Sequence, residues 1–155
     1  MSILFFDDAS RESLLPLSFT RPVADFRIGI LTIAEKWAKR LSAPSYSFVT
    51  EEYLQKKFPK EFSSDNLFIN GSICPDEELE KSIKSLQVGE ALVSNSLLIA
   101  VKLSEKEAQS FNYSDFSSYK SIAYTGSFIK ITYPEDLFSH NDVELRKDFT
   151  LLTAG

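Results

Sequence analysis

Cys74 is the only cysteine, so no intramolecular disulfide can form and no cysteine-built metal cluster exists. His140 is the only histidine, which removes His-rich zinc sites and every Ser–His or Cys–His device not built on that residue. With 17 bases against 22 acids the net charge is −5 and the pI about 5.0, and no Lys/Arg block stands out. A duplex-binding protein needs a basic face to neutralise phosphates, so no nucleic-acid partner is expected. Glycine and proline are scarce, and no linker rich in them divides the chain. The opening residues Met1–Asp8 hold neither a basic leader nor a long apolar run. A signal peptide and a membrane span are therefore not expected, and a cytoplasmic location is.

What is present suits one domain. The chain has 155 residues, 43% of them hydrophobic, and its thirteen Phe, six Tyr and one Trp make a ring-rich core. Short apolar runs alternate with helical periodicity, which predicts an α/β fold. Strands are expected at Ile3–Phe6, Tyr46–Val49, Leu67–Ile69 and Phe128–Tyr133, and a hairpin at Ala91–Val93 and Leu97–Val101. The spacing of Ile30, Ile33, Ala34, Trp37 and Leu41 predicts a helix over Gly29–Leu41, with Trp37 in the core. Thr50 is expected to cap a short helix carrying Tyr53, Leu54 and Phe58. Pro75 suits a first helical turn, with Leu79, Ile83 and Leu86 buried and Gly89 as the stop. Glu77–Glu80 with Lys81 and Lys84 reads as a solvated face with i,i+4 pairing. Ser104 with Glu107 predicts a cap, as does Asn141 with Glu144 for a final helix burying Leu145, Phe149 and Leu152. Tyr113–Thr125 shows no clear pattern.

The opening order of strand, helix, strand, helix, strand, helix implies right-handed crossovers and a mostly parallel sheet. In such sheets ligands bind beyond the carboxyl ends of the strands. That rule selects Asp7-Asp8 after the first strand and Asn70-Gly71-Ser72 after the third. It also selects the long connection Ser10–Gly29, which brings Arg11, Arg21 and Arg27 towards the same edge and ahead of a helix N-terminus. Guanidinium groups fork onto phosphate oxygens, so one reading is a phosphate ligand. The other is that these arginines pair with Asp7, Asp8 and Asp25 and pin the loop.

Two stretches, Leu15-Pro16-Leu17-Ser18-Phe19-Thr20-Arg21-Pro22 and Gly29-Ile30-Leu31-Thr32-Ile33-Ala34-Glu35-Lys36-Trp37, resemble the opening of bacterial sugar nucleotidyltransferases of the bifunctional uridylyltransferase–acetyltransferase and glucose-1-phosphate thymidylyltransferase type. Asn66–Ile73, Gly89–Val93, Tyr133–Phe138 and Asp148-Phe149 carry the resemblance to the end of the chain. It implies a Rossmann-like three-layer sandwich with a mostly parallel sheet, of the nucleotide-diphospho-sugar transferase kind. It also implies an N-terminal domain, residues 1–155, followed in the longer protein by a left-handed β-helix through which copies could assemble. The reaction implied is attack of a sugar 1-phosphate on the α-phosphorus of a nucleoside triphosphate, releasing pyrophosphate, usually with Mg²⁺. Arg21 and Arg27 would then act on the phosphates, while Asp8, Arg11, Asn70, Gly71 and Ser72 would line the nucleotide and sugar subsites.

The chain differs from the superfamily pattern at several points. Asp7-Asp8 stand where paired glycines bring backbone close to the triphosphate, and Val23 and Ser72 stand at the Lys and metal-Asp positions. A second reading is therefore a non-catalytic regulatory or oligomerisation module attached to a β-helix acyltransferase. Asp7 and Asp8 are a reasonable Mg²⁺ pair, or else a turn that accepts local N–H bonds. Strand–Asp-Asp is also the opening of phospho-receiver domains, but the long insertion before the first helix does not suit that fold. Asn70-Gly71 is either a plain turn or a close backbone approach to ligand. His140 carries no expected role, and Cys74 is expected to be small and inert.

Overall fold

The computed structural model of the chain describes residues 2–15, 17–43, 45–50, 52–57 and 61–153. The first half comprises β1 (Ser2–Phe6), α1 (Ser10–Ser13), β2 (Arg27–Ile28), β3 (Leu31–Thr32), α2 (Ile33–Arg40), β4 (Ser47–Val49) and α3 (Glu52–Gln55). Next come β5 (Asp65–Asn70), β6 (Ile73–Cys74), α4 (Glu77–Lys84), β7 (Glu90–Ser94) and β8 (Leu97–Ser104). The chain ends with α5 (Glu105–Ala108), β9 (Lys120–Ala123), β10 (Ile129–Lys130), α6 (Pro134–Ser139) and α7 (Asn141–Thr153).

The central sheet has six strands in the order β4-β1-β5-β8-β7-β9. β1 runs parallel to β4 and β5, and β9 parallel to β7, so β8 alone points the other way. Its reversal follows from the tight turn at Asn95-Ser96, where Asn95 adopts φ 55°, a conformation asparagine tolerates well. Period-two alternation splits β1 between two cores. Ile3 and Phe5 join Trp37 of α2 and Leu79 and Ile83 of α4 on one face. Leu4 and Phe6 join Phe68, Val101 and Leu103 on the other, under α5 and the rings of Phe111, Phe116 and Tyr119. Trp37 is fully buried and its indole N–H donates to the Ile73 carbonyl at 2.9 Å, which settles the polar atom of a core ring.

The first helix begins later than its spacing predicts. Gly29 and Ile30 are the turn of the β2–β3 hairpin, and α2 starts at Ile33. Thr32 is its cap: its hydroxyl accepts from the Glu35 N–H at 3.1 Å and Glu35 returns a carboxylate to the Thr32 N–H at 2.9 Å. This reciprocal capping box overrides an apolar period that continues into the hairpin. Thr32→Ala is expected to cost about 1 kcal/mol, read as a lower urea midpoint with an unchanged slope.

Other boundaries shift for similar reasons. Asp76 rather than Pro75 opens α4, its carboxylate accepting from the Leu79 N–H, and the helix ends at Lys84, well before Gly89. Lys81–Glu77 and Lys84–Glu80 pair along its surface as expected. Ser104 caps α5 through the Glu107 N–H. The strand expected over Phe128–Tyr133 is only Ile129–Lys130, paired with β6 outside the main sheet. The patternless segment after Tyr113 supplies edge strand β9, whose residues are mostly exposed and so carry no apolar run. Thr50 does not cap α3, because its hydroxyl donates to Asp7. Phe58 lies outside the described residues.

The largest reversal is α7. Leu145, Phe149 and Leu152 are 42, 64 and 42% exposed, and the helix instead turns Glu144 and Asp148 inward. Asp148 accepts from the Ile30 and Leu31 N–H groups and holds the buried Lys36 ammonium at 2.5 and 2.6 Å. Asn141 accepts from the Gly29 N–H at 2.8 Å instead of capping its own helix. Gly29 sits at φ +75°, and a Cβ there would fall 2.8 Å from both the Asp148 carboxylate and the backbone of α7. Only glycine lets the hairpin meet the helix.

Candidate functional site at the carboxyl edge of the sheet

β1 leads leftward to β4 while β5 leads rightward to β7, so the strand order reverses between β1 and β5. Asp7-Asp8 and Asn70 stand at that reversal, the place where open α/β sheets hold ligands. The Asn70 amide donates to Asp8 Oδ2 at 2.8 Å and to the Leu98 carbonyl at 3.1 Å, and its oxygen accepts from the Ser72 N–H and hydroxyl. Asp8 Oδ1 accepts from the Ser10 N–H at 2.9 Å and hydroxyl at 2.5 Å, while the Lys130 ammonium lies 3.2 Å from Oδ2. Burial pushes the Asp8 carboxyl up, but Lys130 and the Ser10 and Asn70 bonds outweigh it and leave it below the ordinary carboxylate range.

Asp7 faces a different set of partners. Its Oδ1 accepts from the Val23 N–H at 2.9 Å, and its Oδ2 from Arg11 at 2.9 Å and from the Thr50 hydroxyl. Burial dominates here and raises the Asp7 carboxyl despite those partners. Arg11 is itself buried, and also donates to the Arg21 carbonyl at 3.2 Å and the Tyr53 hydroxyl at 2.8 Å. Tyr53 passes the chain on to the Phe19 carbonyl at 2.8 Å. Arg11 therefore has the pinning geometry, joining β1, β4 and the long connection.

Above these groups lies a cleft of about 540 Å³ lined by Asp7, Asp8, Arg11, Glu12, Thr50, Glu52 and the segment Gln109–Tyr113. A lobe of about 200 Å³ continues from it past Asp8 and Asn70 to Ser96–Leu98. Tyr113 borders both, its ring stacked on Phe6 at 6.2 Å and 12°. Arg21 and Arg27 do not face this cleft. They line a separate depression of about 330 Å³ with Leu17, Thr20, Phe26 and Leu137. Gly71 donates its N–H to the Phe6 carbonyl, and a Cβ there would fall 3.0 Å from the Ala24 side chain and 3.3 Å from the Phe6 carbonyl oxygen. Its close approach is thus to the long connection. Lys130 and Tyr113 are absent from the sequence reading, because their partners Asp8 and Phe6 lie more than a hundred residues away in the chain. Cys74 is buried, and burial raises its thiol.

The fold is that of a Rossmann-like nucleotidyltransferase. A putative glucose-1-phosphate thymidylyltransferase from Bacillus anthracis, crystallised with sucrose, superposes with a TM-score of 0.57 at 8% identity, over 94% of this chain and 95% of that one. HddC from Yersinia pseudotuberculosis, complexed with GMP-PN, gives 0.51 at 12% identity, over 93% and 100%. No curated protein matches the sequence. The chain belongs to the sugar nucleotidyl transferase family, whose sequence pattern matches residues 3–155.

Nucleotidyltransferases of this kind generally draw on a divalent metal. The Asp7-Asp8 pair does not fit one. Both oxygens of each carboxylate already accept from N–H or O–H donors, and each carboxylate already carries a cation, Arg11 or Lys130. A dication would have to displace these donors and sit beside a buried guanidinium and an ammonium. Among the described residues no three His, Cys, Asp or Glu side chains converge as a metal-binding group.

Proposed function

We propose that the cleft over the carboxyl ends of β1 and β4 holds a nucleoside triphosphate with a sugar 1-phosphate and joins them, with pyrophosphate leaving. The observation that carries this reading is that the cleft lies over the carboxyl ends of β1 and β4 and its lobe reaches Asp8 and Asn70 at the strand-order reversal, in a chain that matches the family throughout residues 3–155. The cleft is rich in acceptors. Asp8, Glu12 and Glu52 suit the hydroxyls of a sugar or ribose, and Tyr113 offers a ring face. The attacking phosphate oxygen is already anionic, so the protein's task is alignment rather than proton abstraction. Asp8 is held rigid for that task by Ser10, Asn70 and Lys130. The family match favours this reading over a module that only supports an attached β-helix.

Thermal unfolding with UTP, dTTP, GTP or ATP, each with glucose 1-phosphate and with or without Mg²⁺, tests it. A ligand at about 100 times its Kd adds roughly 2.7 kcal/mol, a rise on the order of 5–10 °C for a domain of this size. The expected result is such a rise with one nucleotide, abolished in Tyr113→Ala, whose side chain is on the rim. No rise with any nucleotide and sugar phosphate would overturn the assignment of the cleft.

A further inference from the structure

The two cavities differ in the sign of their charge. Among the described residues four carboxylates border the cleft, Asp7, Asp8, Glu12 and Glu52, and the guanidinium of Arg11 is engaged by Asp7. The second depression is bordered by Arg21 and Arg27 and, among the described residues, by no acid. We infer that this depression is a second ligand site, for a phosphate ester with an apolar or aromatic body, separate from the acid-lined cleft.

Several features make it a built site rather than two stray arginines. Leu17, Thr20 and Arg21 line the depression. Their segment is fixed by its Phe19 and Arg21 carbonyls, which accept from Tyr53 and Arg11. The Arg21 backbone is thus anchored while its side chain is exposed. Arg27 is 61% exposed, with one end of its guanidinium donating to the Ile30 carbonyl and the other 3.9 Å from Glu35, too far for a hydrogen bond. A guanidinium held at its root keeps a fork of N–H donors for a phosphate. The nearby acids are Glu35 and the half-buried Asp25, which feels both arginines. Phe26 and Leu137 give an apolar floor, and about 330 Å³ holds one phosphate and one ring, at the small end of ligand pockets.

The test uses phenyl phosphate, inorganic phosphate and phenol, followed by two-dimensional amide NMR of the ¹⁵N-labelled protein. Phenyl phosphate is expected to shift the Thr20, Arg21 and Arg27 amides saturably, more tightly than inorganic phosphate, with phenol silent. The double variant Arg21→Ala/Arg27→Ala should weaken it at least ~10-fold, about 1.4 kcal/mol, while Tyr113→Ala leaves it unchanged. Should the double alanine variant fail to fold, Arg21→Gln/Arg27→Gln carries the same expectation with the stems retained. Shifts centred on Asp8, Asn70 and Tyr113, equal binding of phenol, or no saturation by about 10 mM, where affinities near 1 mM are still read, would each overturn the site. None of these outcomes depends on the nucleotide response of the cleft, so the two readings fail separately.

Discussion

Lys36→Met is expected to lower the unfolding free energy by about 3–5 kcal/mol, the cost of leaving buried carboxylates without their cation. Lys36 has 2% of its side chain exposed and is surrounded by Asp148 and by Glu144 at 3.3 Å. Glu144 reaches a second ammonium, Lys147, at 2.6 Å, yet neither of its oxygens has a partner in hydrogen-bond alignment. Its charge is therefore held by Coulomb attraction more than by directed bonds, and removing Lys36 strips half of that. Asp148 keeps its two N–H donors from Ile30 and Leu31, so the hairpin contact should persist while α7 loosens. Chemical denaturation of the variant reads the loss directly. A cost below about 1 kcal/mol, the size of an exposed pair, would show that water reaches the cluster. Asp148→Asn separates charge from shape: it keeps an acceptor for the hairpin but leaves Lys36 with Glu144 alone, and should fall between wild type and Lys36→Met.

The same cluster explains why α7 was illegible. Leu145, Phe149 and Leu152 are spaced as a buried stripe, but Glu144 and Asp148 have the same i,i+4 spacing one position earlier. Periodicity cannot choose between them; the waiting Lys36 on α2 does. Strands β1, β5, β7 and β8 were legible because they are covered on both faces and read as unbroken apolar runs. β9 was not, since an exposed edge strand needs no such run. The sheet-edge rule brought Asp7, Asp8 and Asn70 to the cleft and its lobe because strand ends fix them, whereas Ser72 is buried against Asn70 and lines neither. It placed Arg21 and Arg27 at the same edge, whereas the connection carries them to a separate depression. Side chains on long loops are positioned by the backbone's path, and local spacing does not encode that path.

Arg11→Met should be nearly as costly as Lys36→Met, again about 3–5 kcal/mol, because it strands Asp7 at the foot of β1. Arg11 ties together Asp7, Tyr53 and the Arg21 carbonyl, so its loss frees this part of the long connection as well as the charge. Arg11→Lys should rescue little, since one ammonium cannot span three acceptors that the planar fork reaches at once. The dependence on pH identifies the cause. Burial already raises Asp7, and losing the guanidinium raises it further. A carboxyl whose folded pKa lies above its unfolded value, about 3.9, favours the folded state when protonated. Its contribution is lost as the pH rises through the folded pKa. The deficit of Arg11→Met relative to wild type should therefore be largest near neutrality and shrink as the pH falls towards the ordinary carboxylate range. A deficit independent of pH would mean that the fork matters for packing alone. Adding Asp7→Asn should then recover nothing, whereas an electrostatic cause requires that it restore much of the loss.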